Sequence, residues 1–170
     1  SQMGRVDLSD LPNFTQTEAE LVKRYIAKNK KYRYVEDQVH YLGLVDENFN
    51  ASIGAFASTA WRNFSSLIGK DKTEEKDFFT TLTDSTYILA YGTGGGSYTS
   101  CNGVGRSTDY VTKNTAIFNL LFGSFFGDWD VRNNFLRSAL ATEKGGLTNS
   151  WSGRPWWHLH PMGMGETMGY

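Results

Sequence analysis

One cysteine stands in a chain of 170 residues. Cys101 therefore has no partner within the chain, which excludes an internal disulfide and any cysteine-based metal cluster and leaves the redox compartment open. No apolar run approaches the roughly 18 residues a membrane-spanning helix requires. An excess of charge is missing too. With 17 basic and 18 acidic residues and a formal net charge of -1, neither nucleic acid nor an anionic membrane surface has an electrostatic reason to bind. Internal repeats and low-complexity tracts are also absent.

What is present is apolar and aromatic. A hydrophobic share of 39% with 15% aromatic residues can bury one sizeable core, and the length gives no reason to divide residues 1–170 into two domains. The capping box Thr17-x-x-Glu20, followed by Leu21, Val22, Tyr25 and Ile26 at helical spacing, predicts an amphipathic helix from Thr17 to about Tyr32. Lys23, Arg24, Lys28, Lys30, Lys31 and Arg33 read as its wet face. A strand is expected from Val39 to Val45, with His40 as a structural residue within it. A longer helix should carry Ile53, Phe56, Ala57, Ala60, Trp61, Phe64, Leu67 and Ile68. Further along, the pattern predicts a short helix over Glu74–Leu82 and strands at Thr86–Tyr91 and Ile117–Phe122. A helix over Val131–Ala141 and a strand at Leu147–Trp151 complete it, and the last residues, GMGETMGY, read as a helix beginning. Helices and strands alternate, so the fold class is α/β: a mainly parallel sheet with helices on both faces.

Two strands open into glycine-rich turns, YILAYGTGGGSYTS at 87–100 and IFNLLFGSFFGDWD at 117–130. In a parallel sheet such loops emerge at the carboxyl ends of the strands, where ligands bind and catalysis occurs. Thr93, Gly94, Gly95, Gly96, Ser97, Gly123 and Gly127 would line that edge. The polar stretch Tyr98–Asn114 between the strands is long for a connection and reads as a functional loop. GTGGGS lacks the lysine and hydroxyl residue of a phosphate-cradling loop and the spacing of a dinucleotide fingerprint, so no nucleotide is expected. Ser124 does not fit G-x-S-x-G. It does stand on a turn with Asp128 and Asp130 behind it and His158 and His160 later, the ingredients of a hydrolytic triad. His158-x-His160 with Asp128 could instead hold a metal. Trp151, Trp156 and Trp157, with Arg154, could stack on a sugar or a peptide. Packing is the plainer reading of the histidines and tryptophans. Cys101 is the only possible thiol nucleophile, and no histidine lies near it in sequence to activate it.

The order of these motifs resembles the caspase-like catalytic domain of gingipain-type cysteine peptidases, which are secreted. Met3-Gly4-Arg5-Val6 is similar to a strand end in that family, and the helix after it has a lysine and a tyrosine near its finish, Lys28 and Tyr32. YGTGGGS at Tyr91–Ser97 is similar to the family's T-G-H-G-S loop. Ile117–Asp128 is similar to its strand ending in a cysteine followed by x-x-G-D. The resemblance implies a three-layer α/β/α domain and removes the activity: the catalytic histidine falls on Gly95 and the nucleophilic cysteine on Ser124. A glycine accepts no proton, and a serine without a base is a poor nucleophile. The expectation is a catalytically silent binding or structural module of a secreted or cell-surface protein, without cofactor or metal. A hydrolase using Ser124 or Cys101 with His158 or His160 is the alternative. Family strands before Gly4 and after the last residues are missing, which implies a caspase-like sheet incomplete at both ends, within a longer polypeptide. Another domain of that polypeptide or a neighbouring chain would then cover the exposed edge.

Overall fold

The computed structural model describes residues 4–49, 56–154 and 156–168. Helix α1, Glu18–Arg33, starts where the capping box predicts: Glu20 N donates to Thr17 Oγ1 and Thr17 N donates to Glu20 Oε2 at 2.7 Å. Acidic residues in its first turn and Lys30, Lys31 and Arg33 in its last match the helix dipole. Strand β1, His40–Glu47, leads to α2, Ala57–Ile68, and a single 3-10 turn precedes β2, Thr73–Glu75. Then follow α3, Phe78–Leu82; β3, Tyr87–Thr93; and three short strands, β4 (Gly96–Ser97), β5 (Ser100–Cys101) and β6 (Gly105–Arg106). Strand β7, Phe118–Phe122, α4, Phe135–Leu140, and β8, Thr148–Ser150, complete the order, with a 3-10 turn at His160–Met164 after them.

The main sheet runs β2-β1-β3-β7-β8 with every neighbour parallel. From β1 the chain moves outward to β2 and then returns to the other side of β1 as β3, so the winding reverses between β1 and β3. Alternation along the strands divides the core in two. Leu44, Ala90 and Leu121 face a cluster with Leu8, Phe14, Phe78, Phe126 and Phe135. Val45, Leu89, Tyr91 and Leu120 face Ala60 and Phe64 of α2 together with Leu159. The result is a three-layer α/β/α arrangement, as the alternation of elements predicts.

Several expectations change. Thr73–Glu75 is not helical but pairs with Gly43–Val45 as an edge strand, and only Phe78–Leu82 coils, capped by Asp77. The Tyr98–Asn114 loop carries regular structure of its own: β5 and β6 of the antiparallel sheet β4-β5-β6 and a 3-10 turn at Asp109–Val111. The helix expected from Val131 is delayed to Phe135, since Asn133 adopts φ 52° and Asn134 supplies the cap. His40 is the exposed first residue of β1 rather than mid-strand. Near the chain end, Gly165 in the left-handed region stops the 3-10 turn and no α-helix forms through Met168. Gly4–Val6 form no strand. Met3, Ile53, Gly169 and Tyr170 lie outside the described residues.

The face of α1 is the sharpest correction. Lys28 is 6% exposed, and its Nζ donates to Leu140 O at 3.0 Å and Thr142 Oγ1 at 3.3 Å, while Arg24 donates to Ala141 O. Two cations thus satisfy the carbonyls at the end of α4 instead of facing water. Burial, with Arg24 nearby, pushes the Lys28 ammonium down from 10.5 to about 7. Between those values the unfolded chain binds more protons than the folded one, so stability must rise with pH across the window. Below about 8.5, before thiols ionise in the unfolded chain, this rise stands clear of Cys101. Urea midpoints should therefore climb from pH 7 to about 8.5, and Lys28→Met, which keeps the stem and removes the charge, should flatten the climb. An unchanged slope in the variant would refute the assignment.

Candidate functional site

Strands β3 and β7 end level, with Thr93 paired to Phe122 and Gly94 N donating to Phe122 O at 3.2 Å. Their loops leave the sheet side by side. The backbones then touch so closely that most side chains are barred: a Cβ on Gly96 would lie 2.2 Å from Ser124 N, and one on Gly94 would lie 2.0 Å from Asn102 O. At Gly123 it would meet Phe126 Cζ at 2.5 Å, and at Gly127 the Trp151 ring at 2.3 Å. Gly95 differs. Its nearest neighbour would be Asn102 Cβ at 3.9 Å, so this one position between two obligatory glycines can accept a side chain. Gly95 and Ser124 are both exposed on the same rim. Thr93 is fully buried, and Ser97 Oγ lies 2.8 Å from Ser100 Oγ.

No imidazole or carboxylate hydrogen-bonds to Ser124 among the described residues. The Ser124 hydroxyl and the Asp128 carboxylate make no hydrogen bond among the described residues. His158 and His160 are exposed and stack on each other at 6.3 Å, on a segment laid over α2 by Asn63, whose amide bonds Trp157 O at 2.9 Å and Leu159 N at 2.7 Å. Neither histidine hydrogen-bonds to Ser124 or Asp128 among the described residues, and no three His, Cys, Asp or Glu side chains there form a metal-holding group. Triad and metal arrangements are therefore not assembled. Cys101 is 1% exposed, its Sγ 3.9 Å from Phe122 O. Burial, with Asp46 and Glu47 adding to it, raises the thiol far above its ordinary range, so it stays protonated and a weak nucleophile. The tryptophans form no platform either: Trp151 Nε1 donates to Gly123 O, Trp157 packs edge-on to Tyr91 at 5.9 Å, and Trp156 is exposed.

Two groups at the rim escape the sequence reading. Asp46 and Glu47 end β1 at the winding reversal and Asn48 follows them, its N–H donating to Thr93 O at 2.8 Å. Asp46 accepts from Phe78 N at 2.9 Å and Asn48 Nδ2 at 2.7 Å, and burial raises its carboxyl against the pull of those bonds. Their signal was three polar residues directly after an apolar strand. The second group is aromatic. Tyr98 and Phe125, 43% and 52% exposed, hold their rings 5.1 Å apart at a tilt of 54° beside Ser124. Phe125 does so at φ 69°, a strained conformation for a bulky residue.

The glycine geometry is directly testable. Gly95→Ala should leave the thermal midpoint nearly unchanged, whereas Gly96→Ala, which meets backbone, should cost about 1–3 kcal/mol in a urea titration. Equal costs at the two positions would contradict the close approach of the loops.

No family model, curated protein or solved structure matches this chain.

Proposed function

We propose that this chain is a catalytically silent, caspase-like domain of the gingipain type, serving as a binding or structural module of a secreted or cell-surface protein. One observation carries the reading: Gly95 and Ser124 share a rim at the ends of neighbouring parallel strands, and no imidazole or thiolate hydrogen-bonds to Ser124 among the described residues. The resemblance assigns a peptidase's histidine and cysteine to those two positions. Space for a side chain at Gly95, and its exclusion at Gly94 and Gly96, supports that correspondence. Its partners would be other domains of the same polypeptide or a neighbouring chain, and the exposed Tyr98–Phe125 pair beside Ser124 offers apolar surface for such a contact. No helix among the described residues is long and apolar enough to cross a membrane.

The native chain should cleave no member of a mixed fluorogenic peptide set and take up no electrophilic thiol probe at Cys101. Turnover with labelling there would end the proposal. A gain-of-function arm tests the correspondence itself. Ser124→Cys alone should alkylate with an ordinary thiol pH profile near 8.5, and adding Gly95→His should bring that midpoint to about 7.5 or lower, as a neighbouring imidazolium does. Identical profiles for the single and double variants would show that the two positions are not related as a dyad.

A further inference from the structure

Asn102 and Gly103 form the tip of the turn between β5 and β6, and the rim chemistry above leaves them without a role. Both are exposed. Val104 N donates to Cys101 O at 3.1 Å to close the turn, and Gly103 adopts φ 80°, a conformation that glycine takes without strain. The Asn102 carboxamide makes no hydrogen bond among the described residues, and neither does Gly103 N–H. An electrophilic carbon and a backbone nitrogen one residue apart are thus both unengaged. No side chain on residue 103 stands between them, because the space a Cβ would fill is occupied by Asn48 at 2.1 Å.

We propose that Asn102-Gly103 is a site of spontaneous intrachain modification, at which Asn102 passes through a succinimide to an aspartate or isoaspartate. Proximity drives the step, since nucleophile and electrophile belong to adjoining residues. Gly103 N gives up its proton to solvent and attacks Asn102 Cγ. The new N–Cγ bond forms as the Cγ–Nδ2 bond breaks, and Nδ2 leaves as ammonia after taking a proton from water. Water then opens the ring. Addition at Cγ restores the original main chain with a carboxylate on residue 102. Addition at the main-chain carbonyl routes the backbone through Cγ and leaves the former backbone carbonyl as the free carboxylate. No electrons change hands, and solvent water is the sole co-reactant.

The consequence falls on the rim. Asn102 N donates to Gly95 O at 2.8 Å, and its carbonyl oxygen lies where a Cβ of Gly94 would be. A main chain lengthened by one carbon cannot keep both contacts, and the added charge joins a rim that already holds Asp46 and Glu47. The modified chain should therefore have a lower thermal midpoint.

The test incubates the full chain in warm neutral buffer made with oxygen-18 water, natively and in denaturant. Trypsin then yields the 77–106 peptide, whose only asparagine is Asn102, for mass spectrometry. The expected result is an amide-to-acid mass shift with one heavy oxygen at residue 102. It should accumulate in the native protein within an order of magnitude of the denatured rate, and be lost in Asn102→Gln, whose longer side chain closes a less favourable ring. Conversion in denaturant alone would mean that the turn blocks the reaction. Absence of conversion in both, or its persistence in the variant, would equally overturn the proposal.

Discussion

The approach of the Gly94–Ser97 backbone to Gly123 and Ser124 is the constraint from which the rest of the rim follows. Parallel pairing of β3 and β7 brings Thr93 level with Phe122, and the two chains then leave the sheet too close for ordinary residues. Glycine at 96 and 123 is what makes the approach possible, and glycine at 94 lets Asn102 O come equally close. With the loops pinned, Gly95 and Ser124 must face solvent together, and Phe126 must turn inward while Phe125 turns out. Trp151 reinforces the second loop by donating its indole N–H to Gly123 O and packing against Gly127.

Around this contact several polar side chains hold backbone in place. Asp46 accepts the Phe78 N–H at the start of α3, Asn134 caps α4, and Asn63 secures the Trp157–Leu159 segment. Arg137, fully buried, donates to Asp7, Ser9 and Val131 O and ties the N-terminal segment with its core residues Leu8, Leu11 and Phe14 to α4. Removing one partner of such a buried charge leaves the other unpaired, which is the costly outcome. The thiol fits the same pattern: low dielectric and two nearby carboxylates favour its neutral form. A catalytic thiol needs the opposite surroundings.

Much of the architecture was readable from local pattern. The capping box at Thr17 and Glu20, the apolar runs at Tyr87 and Phe118 and the glycines after them are local signals, and each produced the element it predicted. Glu74 and Glu75 misled because an edge strand is held by pairing with Gly43–Val45, a partner thirty residues away that no local window contains. Lys28 misled because helical charge clusters normally face water, and here the unsatisfied carbonyls of α4, more than a hundred residues on, draw the ammonium inward. The tryptophans and histidines near the C-terminal end read as one cluster in sequence but diverge once α2 and β7 each take a share of them.

By itself the sequence determined the fold class, the alternation of helix and strand, and the residue types available at the two glycine turns, because these depend on periodicity, caps and composition. Only the tertiary structure decided which of those residues meet. Strand order and register brought Gly95 beside Ser124, kept His158 and His160 on the α2 face and sealed Cys101 in the core. Such meetings depend on contacts between segments distant in the chain, and the energy of those contacts is nowhere encoded in a single stretch of residues.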